Sequence, residues 1–235
     1  MCSLNPLALR TLRNPDRLSR RWLTDFGARG LNCGSGRRLK AACLNTDIAA
    51  IADAQGNEAP PGKVSLCDER YLYLRHDATR PFPLEDGSVD WVYAEHFIEH
   101  ISPDEAIAWL AEMRRILSPG GFVRLSTPDL LKYTEGYCDP SGAFFEMHQE
   151  RLRKLTSQRQ PSRKAWMVNQ IFYLWGHRWI YDVEEILHAA TAAGFPHHAV
   201  TQTAYRQGRD AEVAMLDVPV RNDESLYVEI INRPA

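Results

Sequence analysis

Residues 77–93 read Asp77-Ala78-Thr79-Arg80-Pro81-Phe82-Pro83-Leu84-Glu85-Asp86-Gly87-Ser88-Val89-Asp90-Trp91-Val92-Tyr93. An acidic residue closing one apolar run, a polar turn at Asp86-Gly87 and a second apolar run from Val89 give a strand, a connection and another strand. Outward from there, short apolar runs at 30–33, 42–47, 71–76, 89–94 and 121–127 alternate with longer stretches, the pattern of an α/β domain on a mostly parallel sheet. Between the last two runs lies a helix. Ser102 and Glu105 have capping-box spacing, Ile107, Leu110, Met113, Arg114 and Leu117 recur at helical intervals, and Pro119-Gly120-Gly121 ends it. A helix at 182–193, stopped by Gly194, and strands at 199–205 and 226–231 complete an expected seven-stranded sheet.

The flanks read differently. Residues 1–29 form an expected N-terminal amphipathic helical segment, with Leu7, Leu12, Leu18, Trp22, Leu23 and Phe26 among Arg10, Arg13, Arg17, Arg20 and Arg21, broken near Asn14-Pro15. Packing on the domain or covering a ligand is its expected role, with contact to a membrane surface a secondary one. Residues 30–235 make one domain, within which 53–70 read as a loop. The stretch 132–179 is polar, aromatic and locally basic, and is expected to form an inserted helical lid, with a solvated helical excursion as the plainer alternative. Its aromatic residues Tyr133, Tyr137, Phe144, Phe145, Trp166, Phe172, Tyr173 and Trp175 supply either an apolar acceptor pocket or a small satellite core.

Composition narrows the partners. A net charge of −2 gives no general field to attract nucleic acid. Five cysteines, an odd set without a C-x-x-C pair, argue against a disulfide framework and a zinc cage, and favour the cytoplasm. No apolar run approaches the roughly 20 residues of a membrane span.

The first strand runs into Leu31-Asn32-Cys33-Gly34-Ser35-Gly36, a turn at which backbone can approach a ligand and a following helix can offer free N–H groups. Arg38 stands where a third glycine would complete a dinucleotide fingerprint, which disfavours nicotinamide or flavin. Asp47, followed by Ile48, closes the second strand, where a carboxylate can accept from both hydroxyls of a ribose. Asp77 closes the third, where with the Ala78 N–H it can meet an adenine edge. Either aspartate alone also suits a helix cap or a turn.

The 77–93 segment, with the later Arg115-Ile116-Leu117-Ser118-Pro119-Gly120-Gly121, resembles the middle of a class I S-adenosylmethionine (SAM)-dependent methyltransferase. Ala94-Glu95-His96-Phe97-Ile98-Glu99-His100 is similar to a bacterial group of small predicted methyltransferases, the methyltransferase type 11-like proteins, whose tail resembles Trp179-Ile180-Tyr181-Asp182 through Ala193-Gly194-Phe195. The resemblance is strongest over 30–130 and looser over 177–231. It implies a Rossmann-like fold and SAM as cofactor, leaving S-adenosylhomocysteine as product. Asn32, Cys33, Gly34, Ser35 and Gly36 would lie against the methionine portion, Asp47 and Ile48 at the ribose, Asp77 and Ala78 at the adenine, and Glu95 and His96 near the sulfonium. Asn32 stands where an acidic residue is common, so another carboxylate or water is needed for the methionine ammonium.

The expected reaction is methyl transfer to a small-molecule or lipid-like acceptor, at a hydroxyl or carboxylate oxygen, with His96, His148 and His177 as catalytic candidates. Two alternatives stand beside it. One is a SAM- or nucleotide-binding protein without turnover. The other is a zinc hydrolase, because His96-Phe97-Ile98-Glu99-His100 matches H-x-x-E-H, which on a helix would pair His96 and His100 as ligands with Glu99 as base. Following a buried strand, Glu99 and His100 are instead expected to cap or pack the connection, and no metal is expected.

Overall fold

A computed structural model describes residues 7–157 and 160–233. Its sheet is built from β1 (Leu9–Thr11), β2 (Gly30–Cys33), β3 (Cys43–Asp47), β4 (Val64–Cys67), β5 (Tyr71–Arg75), β6 (Val89–Glu95), β7 (Leu117–Pro128), β8 (Val200–Thr203) and β9 (Ser225–Ile231). The strand order is β1-β4-β5-β3-β2-β6-β7-β9-β8. Strands β5, β3, β2, β6 and β7 run parallel, while β9 is antiparallel to both β7 and β8. The chain winds outward from β2 through β3 to β5 and then returns to the other side of β2 as β6. That reversal opens a crevice beyond the carboxyl ends of β2 and β6, where open α/β sheets bind ligands.

The central strands are nearly continuous apolar runs because both faces are covered. All of β2 is buried, and Gly30 is required there: a Cβ would lie 2.3 Å from the Trp91 ring on β6. Helix α1 (Arg20–Asp25) precedes β2, and α2 (Pro103–Ile116) presents Ala106, Trp109, Leu110, Met113 and Ile116 to the main core. The expected capping box forms, with Glu105 N–H donating to Ser102 Oγ at 3.3 Å and Ser102 N–H to Glu105 Oε2 at 2.8 Å. Ser102→Ala is therefore expected to lower stability by about 1 kcal/mol, measured by chemical denaturation; an unchanged midpoint would show that the box adds nothing.

Three sequence expectations are corrected. The sheet has nine strands and is mixed, because β1 and β4 extend it beyond β5 in antiparallel pairs. Strand β4 lies in the 53–70 span read as loop. Its turn into β5 carries Asp68 and Glu69 at φ of 51° and 50°, positions where hairpins more often announce themselves with Asn or Gly. No long N-terminal helix forms over the described part of 1–29: β1 pairs with β4, and helix is confined to α1, capped by Ser19. Residues 1–6 of that expectation lie outside the described residues. Nor does a helix follow Gly36 before β3, so the expected helix terminus facing the first turn is absent.

The 132–179 stretch is largely helical, as α3 (Leu130–Cys138), α4 (Ala143–Thr156) and α5 (Lys164–Tyr173). Tyr133, Phe145, Leu152, Met167, Ile171 and Ile180 form its own buried cluster, with Phe144 and Trp166 packed against it. The satellite-core reading thus accounts for these four aromatics. Tyr137, Phe172, Tyr173 and Trp175 remain exposed. Helix α6 (Val183–Ala192), capped by Asp182, packs beside α2, and a short α7 (Ala211–Ala214) precedes β9.

Candidate functional site

Three cavities meet at the carboxyl edge of the sheet. The largest, about 520 Å³, is lined by Gly34, Asp47, Ile48, Asp77, Ala78 and Thr79 on one side and by His96, Phe97 and His100 on the other. A second, about 280 Å³, holds Asn32, Ser35, Gly36, Arg37, Arg38, Lys40, Glu95 and Arg221, and shares Gly34 and His96 with the first. The third, about 300 Å³, lies under the helical insertion. His96 and His100 join it to the first cavity, while Leu152, Leu155, Trp175, His177, Arg221 and Glu224 form much of its remaining wall.

The turn after β2 is held by backbone. Gly34 has φ of +64°, and a Cβ there would stand 3.0 Å from Phe97 Cδ2, so glycine is required both for the turn and for the approach of Phe97. Asp47 Oδ2 accepts from Gly36 N–H and Oδ1 from Ala49 N–H, each at 2.8 Å. The carboxylate expected at a ribose thus also pins the turn. Asp77 Oδ1 accepts from the Thr79 hydroxyl at 2.7 Å and the Thr79 N–H at 3.0 Å. Those bonds, the hydroxyl's first, hold its carboxyl below the usual range and keep it charged. Cys33 is fully buried in the main core and lines none of these cavities; burial pushes its thiol up to about 12. Asn32 Nδ2 donates to Asn45 Oδ1 at 2.9 Å, and no charge comes from that position.

Glu95 supplies the carboxylate on this side, with Oε1 accepting from Val218 N–H at 2.9 Å and Oε2 3.6 Å from Arg38. His96 follows β6 at φ of 47° and is almost buried. Ser225 Oγ donates to Arg221 O at 2.6 Å, so it accepts from His96 Nε2–H at 2.7 Å, while His96 Nδ1 accepts from Arg221 NH1 at 3.0 Å. Both ring nitrogens are thereby occupied. His96 can orient neighbours but has no free lone pair for a proton or a metal.

His148 is 1% exposed and lies behind the cavities. Its Nδ1 is 2.9 Å from Asp223 Oδ2 and its Nε2 2.8 Å from Tyr133 OH, which donates to Glu224 Oε2 at 2.7 Å. Burial first and Glu224 next raise Tyr133 far above the ordinary phenol value, so it stays a donor. Through Tyr133, His148 positions Glu224, which does reach the third cavity. His177 is in that cavity as well, with Nδ1 2.5 Å from Ile171 O and its pKa lowered mainly by burial.

The H-x-x-E-H stretch does not form a helical pair of ligands. His96 belongs to a strand end, and Ile98–His100 is a single 3₁₀ turn, so His96 and His100 do not present themselves as i and i+4 of an α-helix. Arg37, Arg38, Lys40, Arg221, Asp223 and Glu224 were not singled out as site residues from sequence. The Arg37-Arg38 pair beside the glycine turn was a visible signal, whereas the 221–224 run looks like any polar loop before a strand.

Residues 25–125 match the family model described as a methyltransferase domain. This section of the chain is thus similar to a methyltransferase domain, and its parallel strands, wound outward from β2 to both sides, make a Rossmann-like α/β sheet. An uncharacterized 37.1 kDa protein in transposon TN4556 of Streptomyces fradiae is 44% identical over 124 residues, covering 46% of this chain and 32% of that protein. The chain therefore spans about a third of that relative's length. Among solved structures, a SAM-dependent methyltransferase from Archaeoglobus fulgidus is similar at 13% identity and a TM-score of 0.45, covering 90% of each chain. One from Mesorhizobium loti is similar at 15% identity and 0.46, covering 91% of this chain and 98% of that one.

Proposed function

We propose that the protein is a SAM-dependent methyltransferase acting at an oxygen of a small-molecule or lipid-like acceptor. The observation that carries this reading is the sharing of His96 and His100 between the 520 Å³ and 300 Å³ cavities, which lets a donor on one side meet an acceptor on the other. When bound, SAM supplies an electrophilic methyl on a positively charged sulfur. Asp47 would accept from the ribose hydroxyls, Asp77 and Ala78 would hold the adenine edge, and Arg37, Arg38, Lys40 and Glu95 would receive the charged carboxylate and ammonium of the methionine end. Glu95 thus takes the role that Asn32 cannot fill.

On the acceptor side, Pro128, Leu152, Leu155 and Trp175 would take an apolar body, while His177, Arg221 and Glu224 would take its oxygen-bearing end. The insertion α3–α5 would serve as the lid, excluding water that competes for the methyl group. In-line transfer needs the acceptor oxygen opposite the departing sulfur, and much of the rate comes from that alignment. Held there, the acceptor oxygen would form its bond to the methyl carbon as the carbon–sulfur bond broke, the electron pair staying on sulfur. A hydroxyl must also shed its proton, whereas a carboxylate arrives without one.

Calorimetric titration with SAM and S-adenosylhomocysteine tests the cofactor assignment. Asp47→Ala and Asp77→Ala are each expected to weaken binding by ~1.5–3 kcal/mol, about ten- to a hundredfold. Failure of the folded wild type to bind either ligand would overturn the reading. Binding with no transferable methyl to any acceptor would leave a SAM-binding protein.

A further inference from the structure

We propose that Glu99, His100 and His177 bind a divalent metal ion of the zinc type at the edge of the acceptor cavity, and that an acceptor oxygen completes its coordination. A ligand atom from each of the three lies within 4.8 Å of the other two, in a mixed imidazole and carboxylate set suited to zinc and its first-row neighbours. Two residues of the set come from the 3₁₀ turn after β6 and the third from the far end of the helical insertion. Backbone bonds tie these distant segments together, because Arg178 N–H and Trp179 N–H both donate to Glu99 O, at 2.7 and 3.2 Å.

An independent observation points to a cation. Glu99 is fully buried; its Oε2 accepts from Thr127 Oγ1 at 3.1 Å, but its Oε1 is buried with no hydrogen-bond donor. His96 Nδ1 lies 3.2 Å away, but it accepts from Arg221 NH1 and so has no proton to give Glu99. A buried carboxylate oxygen without a donor is costly, and a metal ion relieves it.

Both other ligands are turned for the purpose. The Nδ1 atoms of His177 and His100 face the carbonyls of Ile171 and Gly176, at 2.5 and 3.3 Å, leaving Nε2 of each ring available, as outer bonds do for metal-bound imidazoles. His100 and His177 line the acceptor cavity, so a ligand there can reach an open coordination position. A coordinated acceptor hydroxyl loses its proton to solvent more readily, which supplies the activation that O-methylation needs. The metal site stands on geometry alone; only its role toward an acceptor rests on the methyltransferase reading.

The test uses the full chain, stripped of metal with a chelator and titrated with Co²⁺, whose visible absorption reports nitrogen ligation, followed by Zn²⁺ competition. One equivalent is expected to bind to the wild type and be displaced by Zn²⁺. His100→Gln and His177→Gln should each weaken binding at least tenfold, while His198→Gln, in an exposed turn elsewhere, should leave it unchanged. His100 is exposed, so its replacement does not disturb the core; circular dichroism checks Glu99→Gln, which should also lose the ion. Absence of stoichiometric binding by the wild type, or equal binding by the His100 and His177 variants, would overturn the site. SAM titration of the same metal-free sample separates the two readings. SAM bound without metal, and a metal site intact, supports both; metal bound with no SAM binding keeps the site and removes its role in methyl transfer.

Discussion

Arg124→Met is expected to destabilise the protein by ~3–5 kcal/mol, because it leaves two carboxylates buried without their counter-charge. Arg124 sits in the middle of β7 with its side chain fully buried. Its Nε and NH2 donate to Asp217 at 2.9 and 2.6 Å, and its NH1 donates to Glu229 on β9 at 3.0 Å. Burial alone would lower the guanidinium's pKa, yet the two acids carry it above its already high value. The remaining donors reach Gln207 O and Ala204 O, so the same side chain fastens the loop between β8 and α7. Asp217 and Glu229 keep bonds from Arg206 N–H and Arg209 N–H, but those cannot replace the lost charge. Urea denaturation measures the loss. Adding Asp217→Asn and Glu229→Gln to Arg124→Met should recover part of it, and a loss below about 1 kcal/mol in the single variant would show that the acids adapt without their partner.

His177→Ala is expected to reduce turnover by about 10²–10⁴-fold while leaving SAM affinity within about twofold of the wild type. His177 lines the 300 Å³ cavity proposed for the acceptor and neither of the two proposed for the cofactor. The expected size is that of losing a group that handles the acceptor's proton, whether directly or through a coordinated ion. His148→Ala provides the contrast. His148 acts through Tyr133 on Glu224, so its removal should lower folding stability and raise the acceptor KM more than it lowers kcat. Parallel SAM titration and steady-state kinetics, with an acceptor found by radiolabelled methyl transfer, decide the matter. Normal kcat in His177→Ala would take this residue out of the chemistry.

The amino-acid sequence by itself determined the frame. The apolar runs that became β2, β3, β5, β6, β7, β8 and β9, and the capping box of α2, are local patterns, legible because burial on a sheet or helix face imposes a short period. It also brought to one edge the residues proposed for the cofactor. In a parallel α/β sheet every strand delivers its last residue to one edge, so Gly34, Asp47, Asp77 and His96 come together wherever the strands are correctly read. Side-chain direction was less accessible: Cys33 adjoins the turn in sequence but points into the core.

Tertiary structure alone decided the long-range polar pairs, those on the side proposed for the acceptor among them. His96 meets Ser225 across 129 positions, Tyr133 meets Glu224 across 91, and Arg124 meets Glu229 across 105. Such pairs leave no periodic trace, since each partner is a single polar residue whose neighbours are unrelated. The same reason hid β4, whose hairpin turn lacks glycine, and it separated the H-x-x-E-H run into a strand end and a 3₁₀ turn. Glu99 and His100 were visible as a motif, but His177 became their neighbour only when the insertion returned to the sheet and its backbone bonded to Glu99.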